Sequence, residues 1–185
     1  MSKVAIQGNA SGTATFTVAA PVGTGVDRTL TLPDEAGTVL TSASSITQNS
    51  GPTFSAYQNS SQTLATSTYT KIQFQVEEWD TDSCYDNATN YRFTPTVEGY
   101  YQISASVAMA SSNCPVIMQV YKNGSSYKVI HNTNPANISN ATGSGLVYLN
   151  GSTDYVEIYA WFGTGQGTAA AQKDTYFQAV FVRGV

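Results

Sequence analysis

The chain has 185 residues, with 8 Lys and Arg against 12 Asp and Glu, a net charge of −4, 15 Gly, 6 Pro and 2 Cys. That is room for one ordinary domain with an appendage; it excludes two full domains, a basic footprint for nucleic acid and a disulfide scaffold. Twelve Tyr, seven Phe and 41% hydrophobic residues give enough apolar volume for a core, which excludes wholesale disorder.

The first six residues, Met-Ser-Lys-Val-Ala-Ile, have no apolar stretch of the signal-peptide kind, and no run reaches the length of a transmembrane helix. The expectation is a chain made in the cytoplasm, without a signal peptide and without membrane insertion. Periodicity then decides the fold class. Apolar residues do not recur at helical spacing without interruption by Gly, Thr or β-branched runs, and 44 of the 185 residues are Ser or Thr, so the chain reads as all β.

Residues 1–45 alternate as short strands and turns. Phe16 and Val18 share one face, Leu30 and Leu32 follow in Arg28-Thr29-Leu30-Thr31-Leu32, and Val39 and Leu40 come after the turn Pro33-Asp34-Glu35-Ala36-Gly37. These six are nearly all the large apolar residues there, too few for a core, so this β arm has to lie against its own copies or another protein. Residues 46–52 are small and polar apart from Ile46 and read as a linker. The head, 53–185, shows about nine strands: 53–58, 68–76, 91–93, 100–110, 116–122, 126–130, 145–149, 155–162 and 176–182. Asn123-Gly124 suits the positive φ values of a type I′ turn and pairs 116–122 with 126–130. In 100–110, Tyr101, Ile103, Ala105, Val107 and Met109 belong to the core face, while Tyr100, Gln102, Ser104 and Ser106 face solvent or another subunit.

Little in the chain suggests catalysis. The single histidine, His131, is expected in an exposed loop at a strand end. No nucleophile elbow, phosphate loop or zinc-protease motif occurs, and Gly163-Thr164-Gly165-Gln166-Gly167 reads as a mobile inter-strand loop. Cys84 and Cys114 are expected to be unpaired, with a mutual bridge open only where two loops meet. Glu77, Glu78, Asp80, Asp82 and Asp86 form an acidic patch, expected on an exposed loop, whose oxygen density leaves calcium as the one cofactor to consider. Trp79 and Trp161 are expected to be buried, as large aromatics in sandwiches mostly are.

One stretch carries a resemblance: Trp79-Asp80, then Tyr85-Asp86-Asn87-Ala88-Thr89-Asn90-Tyr91-Arg92-Phe93-Thr94-Pro95, then Gly99-Tyr100-Tyr101. It resembles the signature of the C1q-like branch of the C1q and tumour-necrosis-factor superfamily. Val120-Tyr121-Lys122-Asn123-Gly124, then Gly145-Leu146-Val147-Tyr148-Leu149-Asn150-Gly151 with Asp154-Tyr155-Val156-Glu157-Ile158, then 176–182 follow in the family's order. Asn90-Tyr91 departs from the Thr-Gly or Asn-Gly that the family often has. The resemblance implies a ten-stranded jelly roll that forms a homotrimer without catalytic activity. It puts Phe93, Tyr101, Phe177 and Phe181 in the core, and Gln102, Ser104, Tyr148 and Tyr176 toward the three-fold axis.

The front end carries a second resemblance. Residues 12–21, followed by 28–41 with Leu32-Pro33-Asp34-Glu35-Ala36-Gly37-Thr38-Val39-Leu40, look like a module recurrent in tailed-bacteriophage fibres and capsid appendages. Together the two imply a virion protein: a homotrimeric capsid decoration or cement protein whose arm (Phe16, Val18, Leu30, Leu32, Val39, Leu40) contacts the major capsid protein or another virion protein. The rival expectation is a head- or tail-fibre adhesin that binds a host-surface glycan or protein through exposed aromatics such as Trp79 or Tyr127.

Overall fold

The computed structural model describes residues 51–111, 114–133, 139–170 and 174–185. The arm residues Phe16, Val18, Leu30, Leu32, Val39 and Leu40 lie outside these, as does the linker before Gly51. Among the described residues there is no helix, and there are thirteen strands: β1 (Thr53–Tyr57), β2 (Thr63–Leu64), β3 (Thr70–Lys71), β4 (Val76–Asp80), β5 (Tyr85–Asp86), β6 (Arg92–Phe93), β7 (Glu98–Ala108), β8 (Val116–Lys122), β9 (Ser125–Thr133), β10 (Asn140–Asn150), β11 (Val156–Phe162), β12 (Gln166–Gly167) and β13 (Tyr176–Arg183).

A five-stranded antiparallel sheet runs β10-β7-β13-β1-β4, and a second runs β5-β6-β11-β8-β9 with β3 added on β11; β12 and β2 form a separate ribbon. The two large sheets thus hold eleven strands rather than the ten implied by resemblance. The extra one, β3, is a two-residue contact that only the folded neighbourhood of Tyr159 and Ala160 provides. For the same reason the expected strand 68–76 is broken: 70–71 joins the second sheet, and β4, beginning at Val76, joins the first.

Period-two alternation places one apolar layer between the sheets. Tyr101, Ile103, Ala105 and Val107 on β7, Phe177, Ala179 and Phe181 on β13, and Val156, Ile158, Ala160 and Phe162 on β11 are all buried there. Phe54 ties the layers: its ring stacks on Tyr85 and Phe93 at 4.6 and 4.7 Å and meets Phe177 edge-on at 4.8 Å. The Lys122–Ser125 hairpin closes with Asn123 and Gly124 at φ 52° and 77°, the two positive values that a type I′ turn needs. Tyr91 adopts φ 51°, so the chain keeps the glycine-type turn of the resemblance while placing a tyrosine in it.

The expected mobile loop 163–167 contains β12, and Gly165 N–H is tied to Thr66 Oγ1 at 2.8 Å. His131 lies inside β9, half buried, and not in a loop. Its Nδ1–H donates to the Thr142 carbonyl at 3.1 Å. Two lysines from the second sheet act alike: Lys128 Nζ donates to the Leu146 carbonyl at 2.6 Å, and Lys122 Nζ to that of Tyr148 at 2.9 Å. These three acceptors belong to edge strand β10, so side chains of β8 and β9 cap an edge that no other strand among the described residues pairs.

That approach needs small residues in β10. A Cβ on Gly143 would sit 2.0 Å from the Ile130 carbonyl oxygen, whereas one on Gly145 would meet side chains alone, the flexible stem of Lys128 at 2.9 Å and Ile130 Cγ2 at 3.4 Å. Gly143→Ala is expected to cost about 2 kcal/mol or more and Gly145→Ala under about 1 kcal/mol, measured by chemical denaturation.

Asp86 organises the turn before β6. Its carboxylate accepts from Thr89 N at 2.8 Å, from Ala88 N and Asn90 N, and from the Asn90 side chain at 2.6 Å. The hydrogen bond from Thr89 N–H leads in drawing its pKa from 3.8 down to about 2. Because the folded value is the lower one, this contribution is complete above 3.8 and is lost as pH falls through about 2. Acid titration of stability across that interval should fall less steeply in Asp86→Asn than in the natural chain.

Candidate functional site

The outward face of the five-stranded sheet can be read off its register as rows. One row crosses Trp79, Ser55, Gln178, Ser104 and Ser144; the next crosses Thr53, Val180, Gln102 and Leu146; Tyr100 lies opposite Tyr148 beyond that. Trp79 (47% exposed), Leu146 (45%), Val180 (48%) and Val182 (46%) share this face, whereas Tyr127 and Val129 are exposed on β9 of the other sheet. Apolar exposure collected on one face is a mark of a contact surface.

The centre of the face is polar and internally bonded. Gln178 Nε2 donates to Ser55 Oγ at 3.0 Å, and Ser55 Oγ donates to Glu78 Oε2 at 2.5 Å. A shallow cavity of about 130 Å³ opens here between Trp79, Gln102, Ser104, Gln178 and Val180. Of the four residues expected near a three-fold axis, Gln102, Ser104, Tyr148 and Tyr176 all lie on this face, Gln102 and Ser104 beside the cavity. Tyr176 sits a row away, opposite Ser106 and Tyr57. Tyr148 packs on Tyr100 with ring centres 5.7 Å apart and donates to Glu98 Oε1 at 2.5 Å, a bond that raises the tyrosine pKa.

Two expectations are corrected at this face. Glu77, Glu78 and Asp80 belong to edge strand β4 and not to a loop, and Trp79 is exposed and not buried. The reason is local: the register between β1 and β4 slips between Ser55 and Ala56, a bulge that leaves Trp79 opposite Ser55 on the outward side. Sequence alternation alone does not reveal such a slip. The Asp80 carboxylate accepts from Tyr85 N at 2.7 Å, fixing the turn into β5.

The remaining chemistry is structural. Among the described residues no three of His, Cys, Asp and Glu come together as a metal site. Cys84 and Cys114 are free and buried. Burial raises the Cys84 thiol; at Cys114 the same effect is outweighed by hydrogen bonds from Thr164 and its neighbours, which lower it. Asp154 is held by Lys122 at 2.7 Å and by Asn123 Nδ2 at 2.7 Å, and these outweigh the upward effect of burial on its pKa.

Neither a family model nor a curated protein sequence matches the chain. Solved structures do. Eiger TNF from S. frugiperda superposes with a TM-score of 0.56 at 6% identity, over 73% of this chain and 94% of that one. Murine APRIL superposes with a TM-score of 0.53 at 10% identity, over 71% of this chain and 99% of that one. At such identities the likeness speaks for architecture alone, and the described head is accordingly an all-β sandwich with the TNF-like jelly-roll fold.

Proposed function

We propose that the chain is a non-enzymatic bacteriophage virion protein, a homotrimeric capsid decoration or cement protein. In this reading the jelly-roll heads close on a three-fold axis through the outward face of the five-stranded sheet, and residues 1–45 attach to the major capsid protein. The observation that carries the assembly is the gathering of Trp79, Leu146, Val180 and Val182 on one face around the bonded Gln178–Ser55–Glu78 centre. A cyclic trimer needs two unlike patches that meet head to tail, and this face offers an aliphatic side near β10 and a cavity beside Trp79.

The virion assignment is supported by the likeness of residues 12–41 to phage appendage modules and by an arm too poor in large apolar residues to fold alone. Cementing then needs no catalysis. A protein that binds only the assembled shell stabilises it by mass action, and three arms on one trimer raise a weak contact through effective concentration. No calcium or other cofactor is assigned.

Sedimentation tests both parts. Residues 46–185 and the full-length chain should both run as trimers, and only the full-length chain should co-sediment with purified shells. A truncated head that still decorates shells overturns the arm. Val180→Asp would bury three carboxylates in the contact and should give monomers at ~10 μM with the fold retained, because unpaired buried charge is costly; a trimer in that variant overturns the face.

A further inference from the structure

The opposite side of the sandwich has a different surface. On the six-stranded sheet, Gln119 and Tyr121 of β8 and Glu157, Tyr159 and Trp161 of β11 point away from the core, since Met118, Val120, Ile158 and Ala160 fill it. Three of these five outward residues are aromatic.

These rings are held in place. Tyr121 and Tyr159 stack with centres 3.9 Å apart and planes within 18°. Tyr69 leans on Tyr121 at 6.5 Å, and its hydroxyl accepts from Gln119 Nε2 at 2.9 Å, while Gln119 Oε1 accepts from Ser126 Oγ at 2.6 Å. Although both lie on the outward side of the sheet, Gln119 and Glu157 are 7% and 4% exposed. Glu157 is paired with Lys71 Nζ at 2.8 Å, and Lys71 also donates to the Asn90 carbonyl. Polar side chains buried on the solvent side of a sheet, beneath fixed rings, make a prepared surface. Ordering costs on binding are small when the contact groups are already immobile.

The charge balance selects the occupant. The acid and the base of the cluster neutralise each other, so a phosphate- or sulfate-bearing ligand finds no net attraction, and a hydrocarbon surface would strip water from tyrosine hydroxyls without replacing it. A pyranose has the matching chemistry: C–H groups on a ring face and hydroxyls at its rim. We propose that this tyrosine face binds a neutral hexose oligosaccharide, with Tyr69, Tyr121 and Tyr159 against sugar ring faces and the tyrosine hydroxyls, Ser126 and Lys71 at the rim hydroxyls, while the buried Gln119 holds Tyr69 and Ser126 in place. The proposal rests on the assembly reading only for its orientation, because a trimer closed through the five-stranded sheet keeps this face toward solvent.

The chain has two tryptophans, one on each face, so full-length Trp79→Phe leaves Trp161 as a reporter on the tyrosine side. Its fluorescence is titrated with maltohexaose, cellohexaose and N-acetylchitohexaose, and with a heparin hexasaccharide as the charged probe. A saturable change with at least one neutral probe, insensitive to added salt, is expected. Tyr159→Leu, which keeps an apolar side chain on the sheet but has no ring face, should weaken that binding at least tenfold, and Val185→Ser, at the exposed C-terminus, should leave it unchanged. Silence toward all three neutral probes, a salt-sensitive response to heparin alone, or full binding by folded Tyr159→Leu overturns the proposal. Sedimentation of the chain with its natural Trp79 and Leu146, with and without the sugar, separates the two readings: sugar binding by a monomer sinks the trimer and leaves this site standing, and a trimer that binds no sugar does the reverse.

Discussion

The head depends on Phe54. Its ring belongs to β1 of one sheet, yet its stacking partners Tyr85 and Phe93 belong to β5 and β6 of the other, and Phe177 on the last strand closes the group. β1 also lies between β13 and β4, with Thr53 opposite Val180. The first strand of the head is therefore completed by the last, and the sandwich cannot close until both ends of the domain are present. Contacts of such sequence separation make folding slow relative to local hairpins. They also attach whatever precedes Gly51 directly to the strand that unites the sheets. Force or binding transmitted along the chain to Gly51 would reach β1, one strand in from the β4 edge.

Much of this was legible where one element explains itself. The parity of Tyr101 to Met109 gives the core face of β7, Asn123-Gly124 gives the hairpin, and the elements shared with the C1q and tumour-necrosis-factor resemblance give a jelly roll. What was illegible depends on partners distant in sequence. β2 and β12 are two-residue strands that exist only because Leu64 and Gln166 arrive beside one another, and no local pattern announces that. Trp79 was misplaced because Glu78 is an extra residue in β4, unpaired between Trp79 opposite Ser55 and Glu77 opposite Ala56, and only the pairing with β1 shows it. The tyrosine cluster was hidden for a related reason: Tyr69, Tyr121 and Tyr159 are separated by 52 and 38 residues and meet only where the residue before β3 comes beside β8 and β11.

The two outward faces divide the surface chemistry of a chain with little charge. One collects leucine, valine and tryptophan around an internally satisfied polar centre, suited to a dry contact with a matching surface. The other keeps hydroxyls and amides among its rings, suited to a contact that stays partly wet. The core between them is indifferent to both, since alternate residues of the same strands supply the faces. Either surface can therefore change without disturbing the packing beneath it, which suits a domain reused with different partners.

The capped edge of β10 has an effect on crowding. Sandwich domains packed at high density tend to add strands to one another through open edges. On β10 the carbonyls of Thr142, Leu146 and Tyr148 are already occupied by His131, Lys128 and Lys122, and at the opposite end of the sheet β4 presents Glu77, Glu78 and Asp80. An invading strand meets filled acceptors on one side and repulsion on the other. Both edges therefore oppose strand addition between copies held shoulder to shoulder.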